Sequence, residues 1–249
     1  MIKRRGKLYV IGIGPGGTDE MTLRARRALA ASTVVVGYSG YLDRIASLCR
    51  GKVLIRSGMG EEIERCAAAL REALMGKKVA LVSGGDAGIY GMAAPVLELA
   101  LKKGIDDRTA IEIIPGVPGF VAGAAQCGAP IANDFAVISL SDLLTPWKTI
   151  AQRLAAAASG DFVVCLYNPQ SGSRTRSVER ARKVLLRYRS KATSCALLRR
   201  IAHEGEQIVI TTLGDLLKHT IDMHTTIIIG NSQTRADGNW LVTPRGYNV

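Results

Sequence analysis

Short apolar runs alternate with segments of helical periodicity along the first half of the chain. Such runs predict strands, and apolar residues that recur every three or four positions predict amphipathic helices. The predicted strands are 8–11, 33–37, 52–55, 79–83 and 111–114. The predicted helices are 18–31, capped by Thr18, then 61–75, with Ile63, Ala67, Leu70 and Leu74 on one face, and 91–102. This alternation predicts a mainly parallel sheet with helices on both faces.

The pattern changes beyond Pro115-Gly116-Val117-Pro118-Gly119, where prolines and glycines stop regular structure. We therefore expect an N-terminal α/β domain at 1–116 and a C-terminal mixed α/β domain at 117–249. The predicted C-terminal strands are 136–140, 162–167, 194–201, 207–212 and 225–229, and the predicted helices end near 127 or span 146–158 and 174–188. We therefore predict an α/β fold class, with two α/β domains and a ligand cleft between them.

Two glycine-rich segments follow predicted strands directly. Gly12-Ile13-Gly14-Pro15-Gly16-Gly17 follows 8–11, and Gly84-Gly85-Asp86-Ala87-Gly88-Ile89-Tyr90-Gly91 follows 79–83. Glycine carries no side chain, so the backbone at these strand ends can touch a ligand directly. Ligands of open α/β sheets bind outside the carboxyl ends of the strands. The two segments predict one shared site for a small molecule.

Composition and charge narrow the class of protein. Of the 249 residues, 47% are hydrophobic and 22% charged, as is typical of globular proteins. No apolar run approaches the ~18 residues of a membrane helix, and the chain start does not resemble a signal peptide, so we expect a cytoplasmic protein without membrane contact. The net charge of +12 favours an anionic partner. Nucleic-acid binding is an alternative on charge alone, but aromatic side chains for base stacking are scarce.

Cysteine and histidine show no metal-binding pattern. No two cysteines have the spacing of a zinc or iron–sulfur site, and those in apolar runs are expected to be buried, inert thiols. The histidines are equally scattered, so we expect no metal ligands. These residues are Cys49, Cys66, Cys127, Cys165, Cys195, His203, His219 and His224.

The first glycine segment also matches the dinucleotide pattern G-x-G-x-x-G through Gly12, Gly14 and Gly17. An NAD(P)-dependent oxidoreductase is therefore an alternative. Such an enzyme needs an acidic residue at the end of the second strand to bind the ribose, whereas no carboxylate follows that strand before Asp43. Pro15 also lacks the N–H that a pyrophosphate would use. Both features count against the alternative.

Several longer motifs resemble a known family. Gly12-Ile13-Gly14-Pro15-Gly16 followed by Gly84-Gly85-Asp86 is similar to the tetrapyrrole C-methyltransferases that use S-adenosylmethionine. Within them, the chain most resembles the precorrin-3B C17-methyltransferase family of cobalamin biosynthesis. The stretches that carry this resemblance are 84–93, 134–147, 166–169 with Ser171 and Arg174, 225–232 and 243–247.

The resemblance implies a two-domain enzyme, usually a homodimer, that binds S-adenosylmethionine and releases S-adenosylhomocysteine. The substrate would be a tetrapyrrole that lies in a trough beside the donor. The enzyme would methylate C17 of precorrin-3B, or of its cobalt-bearing counterpart, while the ring contracts to the precorrin-4 level. A sulfonium donor carries an activated methyl group, so the protein mainly has to align the reactants.

The resemblance also implies roles for individual residues. Asp86 or Asp134 would act as the acid or base of ring contraction. For Asp86 the alternative is a carboxylate that only stabilises its turn, and for Tyr90 it is a packing role. For Ser141 and Asp142 the alternative is that they cap or stabilise turns. The donor-binding residues would be Pro15, Gly84, Gly85, Asp86, Ile89, Tyr90, Pro118, Gly119, Leu166, Tyr167, Asn168, Arg200 and Ile201. The substrate-binding residues would be Gly14, Ser139, Ser141, Asp142, Arg174 and Arg245.

Two positions depart from the family pattern. Relatives usually have Thr-Ala at Pro118-Gly119, a pair that commonly meets the donor. The missing hydroxyl removes one hydrogen bond, worth about 1 kcal/mol. A histidine is common where this chain has Asn133, and an amide cannot replace it in proton transfer because it does not titrate.

Overall fold

The computed structural model of the chain describes residues 6–105, 110–171 and 175–248. Among these residues the chain divides into two compact units, the first ending at Gly119 and the second beginning at Phe120. Each unit contains a five-stranded sheet.

The N-terminal unit is built on a parallel sheet. Its strands are β1 (Lys7–Gly12), β2 (Val34–Tyr38), β3 (Val53–Ser57), β4 (Lys78–Ser83) and β5 (Ile111–Ile114). Its helices are α1 (Leu23–Ala31), α2 (Ser39–Arg44), α3 (Glu62–Leu74) and α4 (Ala93–Lys102). The strand order is β3-β2-β4-β1-β5, with every pair parallel. The predicted parallel sheet is confirmed, and β5 has the predicted bounds.

Apolar clusters cover both faces of this sheet. Leu81 of β4 packs in one cluster with Leu70 and Val96 from α3 and α4. Its neighbour Val82 packs in the other cluster with Leu29 of α1. Successive side chains of a strand point to opposite faces, so a strand buried on both faces reads as a continuous apolar run. Burying one such side chain contributes roughly 1.5–3 kcal/mol.

Two predictions about helices in this unit are wrong. Thr18 begins a 3₁₀ turn (Thr18–Glu20), and the cap of α1 is Thr22, whose hydroxyl accepts a hydrogen bond from Ala25 N at 3.1 Å. The second prediction concerns the apolar face of α3. Ile63 and Leu74, which were predicted to share that face with Leu70, are 56% and 67% exposed, whereas Leu70 is buried.

The buried side of α3 carries an arginine. Arg65 lies beside Cys66 and Leu70 among the buried residues of the helix. Its guanidinium donates to Ser57 Oγ at 2.6 Å and to Gly58 O at 2.7 Å. A buried charge is tolerated when it is fully hydrogen-bonded. A pattern that considers only apolar residues misses Arg65, so the predicted face of α3 coincides only in part with the buried one.

The C-terminal unit contains a mixed sheet. Its helices are α5 (Gly119–Cys127), which begins at the last residue of the first unit, α6 (Trp147–Ser159) and α7 (Ser177–Leu185). Its strands are β6 (Gly128–Ala129), β7 (Phe135–Ser139), β8 (Val163–Tyr167), β9 (Ser194–Arg199), β10 (Gln207–Thr212), β11 (Thr225–Ile229), β12 (Arg235–Asp237) and β13 (Trp240–Val242). The main sheet has the order β10-β9-β11-β8-β7; among its described strands, β7 and β8 pair in parallel and the other neighbours are antiparallel. This confirms the predicted mixed sheet; the small sheet β12-β13-β6 was not predicted.

The cysteines are buried as free thiols, as predicted for those in apolar runs. Burial raises the pKa of Cys66 and Cys127 to about 11 and that of Cys165 and Cys195 to about 12. Thiolate is the reactive form of cysteine. Each of these thiols is therefore chemically quiet in the folded protein.

We expect the native protein to resist an aromatic disulfide reagent at pH 8 and to react at its five cysteines once guanidinium unfolds it. The absorbance of the released thiol, followed with and without denaturant, measures both rates. The denatured sample is the control for reagent and cysteine count. Rapid labelling of any of these thiols in the native protein would contradict the burial.

Candidate functional site

The two glycine-rich segments meet at the carboxyl ends of the neighbouring strands β1 and β4. Gly14 N donates to Gly85 O at 3.0 Å, and Gly85 N donates to Gly14 O at 2.8 Å. One step earlier, Ile13 N donates to Ser83 O at 3.0 Å. The reciprocal bonds between Gly14 and Gly85 form an antiparallel bridge beyond the parallel strands and hold both segments at one edge of the sheet.

The end of β5 joins them at very short range. A Cβ on Gly116 would lie 2.2 Å from Gly85 O and 2.7 Å from Gly12 O. A Cβ on Gly12 would lie 2.6 Å from Gly116 N. These distances are shorter than any van der Waals contact, and the atoms involved belong to the backbone. Three strand ends can pack this closely only because glycine occupies these positions.

The carboxylate of Asp86 fastens the loop that follows β4. Its Oδ1 accepts from Gly88 N at 2.7 Å and from Ile89 N at 3.2 Å. Its Oδ2 accepts from Gly116 N at 3.0 Å. A short carboxylate side chain commonly bonds the backbone of its own turn in this way. Asp86 therefore has a structural task, and its role as acid or base stays a prediction.

Other predicted donor-binding residues surround the same edge. A Cβ on Gly85 would be in ordinary contact with Gly119 N at 3.6 Å and with Pro118 Cα at 3.8 Å. Tyr90 lies at φ +52° and is more than half exposed. The structure thus brings together the predicted residues Gly14, Pro15, Gly84, Gly85, Asp86, Ile89, Pro118 and Gly119.

Two residues at this edge were not predicted. The ring of Tyr41 lies against Gly84, and the side chain of Arg44 reaches Pro15 O, to which Nη1 donates at 3.0 Å. Both belong to α2, a helix that was not predicted. The sequence feature that could have indicated these two residues is their spacing of three, which places them on one side of a helix.

Predicted residues of the C-terminal unit meet at the carboxyl ends of β7 and β8. Ser139 Oγ accepts from Asn168 Nδ2 at 3.0 Å and from Ser141 N at 3.2 Å. The Tyr167 hydroxyl accepts from Phe120 N at 3.2 Å. Parallel strands end at the same edge, so this polar group has the arrangement of a ligand-facing edge.

Asp134 lies at the other end of β7. It directly precedes the strand, and its carbonyl accepts from Val163 N at the amino end of β8. At about 3.3 Å per residue, the length of β7 separates it from Ser139 by roughly 16 Å. The structure does not bring Asp134 together with Ser139 and Ser141.

The remaining predicted residues differ in exposure. The Leu166 side chain is fully buried and Ile201 is nearly so. A ligand contact at Leu166 would therefore have to be made by its main chain. Arg245 is exposed, with its Cζ 5.7 Å from the centre of the Tyr247 ring. Arg174 lies outside the described residues.

The loop after Ser141 exposes two leucines between anchored ends. Arg180 lies 3.9 Å above the Trp147 ring and 3.9 Å from Asp142 Oδ2. Leu143 and Leu144, between those two anchors, are 77% and 98% exposed. The Arg180 guanidinium therefore contacts residues at both ends of this loop, and Leu143 and Leu144 form its apolar tip.

Three predicted site residues adopt a backbone conformation that side chains rarely tolerate. Tyr90, Asn168 and Arg200 have φ angles of +52°, +51° and +52°. Each such residue costs of order 1–3 kcal/mol, and strained residues gather where a function requires their geometry. Asp161 and Ala202, which are not predicted site residues, also have positive φ angles of +59°.

Asp222 anchors the turn that contains Arg200. Its carboxylate accepts from Arg199 Nε at 2.7 Å, from Thr225 Oγ1 at 2.9 Å and from His224 N at 2.9 Å. Burial alone would raise the pKa of Asp222, but these hydrogen bonds outweigh burial and lower it below its ordinary value of 3.8. The ionised form therefore stabilises the fold.

We expect Asp222→Asn to reduce the free energy of unfolding by about 1–3 kcal/mol at pH 7. A depressed carboxyl pKa stabilises the fold above the unfolded-state pKa, and this contribution is lost as the pH falls through the folded-state pKa. The difference from wild type should therefore shrink below about pH 4. Urea unfolding of wild type and variant at pH 7 and below about pH 4 measures this difference.

Asp215→Asn is the matched control, because Asp215 pairs with Lys218 on the surface. Surface pairs contribute little, so this variant should unfold like wild type. An Asp222→Asn variant with wild-type stability at neutral pH would contradict the anchoring role.

No group of three or more His, Cys, Asp or Glu residues in the described ranges could hold a metal ion. Across the same part of the chain, no helix combines the length and apolar character needed to span a membrane.

The fold and the glycine-rich edge agree with one protein family. Residues 7–217 match the model of the tetrapyrrole (corrin/porphyrin) methylases. The chain therefore belongs to the tetrapyrrole methylase family.

Individual relatives refine this assignment. The chain is 44% identical to the probable cobalt-factor III C(17)-methyltransferase of Salmonella typhimurium, covering 97% of this chain and 100% of that protein. It is 39% identical to the precorrin-3B C(17)-methyltransferase of a Sinorhizobium species, covering 97% of this chain and 97% of that protein. The crystal structure of the methyltransferase CobJ superposes with a TM-score of 0.90 at 36% identity, covering 96% of this chain and all of that one.

Some relatives are longer than this chain. It matches the cobalt-factor III methyltransferase of Priestia megaterium at 44% identity over 98% of its own length, but it spans only 45% of that protein.

Proposed function

We propose that this protein transfers a methyl group from S-adenosylmethionine to C17 of precorrin-3B or its cobalt-bearing counterpart, cobalt-factor III, in cobalamin biosynthesis. Methylation accompanies contraction of the ring to the precorrin-4 level. Membership of the tetrapyrrole methylases and the named C17-methyltransferases among its relatives support this activity.

The observation that carries the proposal is the backbone bridge between Gly14 and Gly85, fixed by Asp86 and Gly116. It presents main chain without side chains at the carboxyl edge of a parallel sheet, where ligands of such sheets bind. This edge fits a small zwitterionic donor that is held by backbone groups. When bound, S-adenosylmethionine supplies an activated methyl group. The task of the surrounding residues is to hold and align it, which can account for a large part of a rate enhancement.

Charge supports the choice of a tetrapyrrole substrate. Tetrapyrroles of this pathway carry many carboxylates, and the protein has a net charge of +12. A field of this sign attracts an anionic ring before contact is made. Arg174 and Arg245 are proposed partners for these carboxylates, because a guanidinium binds a carboxylate through two parallel hydrogen bonds.

The other residue roles remain predictions from the motifs. Asp86 and Asp134 are the candidates for proton transfer, and Ser139, Ser141 and Asp142 for the substrate. Leu166, Tyr167, Asn168, Arg200 and Ile201 are proposed donor contacts. From the family resemblance we also propose a homodimer that acts in the cytoplasm. The oxidoreductase alternative is not carried forward, because the family match includes the Gly12–Gly17 segment.

The proposal is tested with a donor that carries a labelled methyl group. The purified protein is incubated with metal-free precorrin-3B in one arm and with cobalt-factor III in the other. We expect label in the ring of at least one product, at C17 by nuclear magnetic resonance, and the arm that reacts identifies the substrate. A folded protein that transfers no label in either arm would contradict the proposal.

A further inference from the structure

We propose that Tyr41 and Arg44 together act as positioning residues that set the backbone of the donor site, and so control donor affinity. We call this pair the Tyr41–Arg44 arm. The inference rests on the proposed function, because it takes the Pro15 and Gly84 edge as the place where the donor binds.

The arm originates in the short helix α2, immediately after β2. Tyr41 and Arg44 are three residues apart in this helix and therefore lie on one side of it, and Tyr38 directly precedes the helix at the end of β2. The rings of Tyr38 and Tyr41 pack edge to face, with centres 5.2 Å apart and planes at 85°. A Cβ on Gly40 would lie 2.8 Å from Tyr38 Cε1, so glycine at this position leaves room for the first ring.

From there the arm crosses the ends of three neighbouring strands, since β2, β4 and β1 are adjacent in the sheet. The Tyr41 ring lies so close to Gly84 that a Cβ there would be 2.8 Å from Cε1 and Cζ. The Arg44 guanidinium lies 4.7 Å from the centre of the same ring. Its Nη1 then reaches Pro15 O, at the end of β1.

This contact complements the backbone bridge on the other side of the same loop. Gly14 is held by Gly85, whereas Pro15 has no N–H and can form a backbone hydrogen bond only through its carbonyl. Arg44 is half-buried, and burial lowers the pKa of its guanidinium. A hydrogen bond from a charged donor is stronger in such a place. The arm therefore fixes the peptide between Pro15 and Gly16.

The arm acts on backbone atoms of two residues that are proposed to meet the donor. Shortening it leaves the strands and their bridge in place but releases the Pro15 carbonyl and uncovers Gly84. The predicted consequence is weaker donor binding in a protein that remains folded. A purely structural role would instead lower thermal stability and leave donor affinity unchanged.

The test measures binding of S-adenosylhomocysteine by calorimetry to wild type, Arg44→Met, Arg44→Lys and Tyr41→Leu. We expect Arg44→Met and Tyr41→Leu to bind about tenfold more weakly, because each removes the contact that orients the loop. Arg44→Lys keeps the charge but not the flat guanidinium that stacks on the ring, so its affinity should be intermediate. In turnover, the donor KM should rise and the tetrapyrrole KM should not.

Asp43→Asn is the matched control, because Asp43 lies in the same helix and pairs with the exposed Arg56 at 2.7 Å. It should bind S-adenosylhomocysteine like wild type. If the arm variants are folded and bind as tightly as this control, the inference is overturned while the proposed function stands. If Arg44→Met or Tyr41→Leu fails to fold, the affinity of Arg44→Lys for S-adenosylhomocysteine tests the inference instead. If wild type itself does not bind, the donor assignment fails together with the arm.

Discussion

Replacing Gly116 with alanine is expected to abolish most activity and to destabilise the N-terminal unit. The new Cβ would lie 2.2 Å from Gly85 O and close to the backbone of Gly12, and no flexible side chain is there to move aside. The strand ends must separate, which costs about 3 kcal/mol for overpacking of this kind. A displacement of about 1 Å at the donor site can lower the rate roughly a hundredfold. Donor binding, turnover and urea unfolding measure the three effects.

Gly17→Ala is the matched control in the first glycine segment. A Cβ there would meet nothing within 4 Å, and Gly17 has an ordinary φ of −76°. This variant should keep the activity and stability of wild type. Equal behaviour of Gly116→Ala and Gly17→Ala would show that the close approach of the three strand ends is not required.

Replacing Asp86 with asparagine is expected to weaken donor binding and lower stability together. The carboxylate accepts from three backbone N–H groups through both oxygens. An asparagine side chain has one oxygen, so its amide nitrogen must face at least one of these donors. An unsatisfied buried donor costs about 1–3 kcal/mol. We therefore expect a higher donor KM and a lower unfolding midpoint in the same variant.

An acid or base role for Asp86 predicts a different result. In that case kcat at saturating donor would also fall, in addition to the higher donor KM and the lower unfolding midpoint that follow from the lost hydrogen bonds. Asp134→Asn provides the comparison, because Asp134 is the other candidate for proton transfer. A loss of kcat in Asp134→Asn at unchanged stability would assign that role to Asp134.

The sheets could be predicted because their signal is local and strong. Strand β5 has the bounds predicted for it, since its apolar run is followed directly by Pro115-Gly116. Strands β10 and β11 also have the predicted bounds. Buried strands need continuous apolar residues, and glycine or proline marks where they stop. The meeting of the glycine-rich segments follows from the parallel order of their strands.

Helical detail depends on partners that are distant in the sequence. Leu70 of α3 is buried as predicted, but Ile63 and Leu74 are exposed. The buried face instead includes Arg65, which bonds to Ser57 and Gly58 in another segment. Helix α2 was missed because it is short and begins with Ser39-Gly40, residues that are also typical of a turn. Sequence patterns within one segment do not contain this information.

The site was predicted only in part for the same reason. Motifs identified the glycine segments, but they could not show that Gly116 packs on Gly12 or that Arg44 reaches Pro15. Asp134 and Ser139 belong to the same 134–147 motif, but β7 runs between them. A motif gives the order of residues along the chain, and only the fold decides which of them meet.

We propose above all that the glycine-rich edge holds the methyl donor, and a crystal structure with S-adenosylhomocysteine tests this directly. We expect the ligand to lie against the backbone of Pro15 and of residues 84–86, with the Gly14–Gly85 bridge intact. Ligand bound elsewhere, with this edge free, would contradict it.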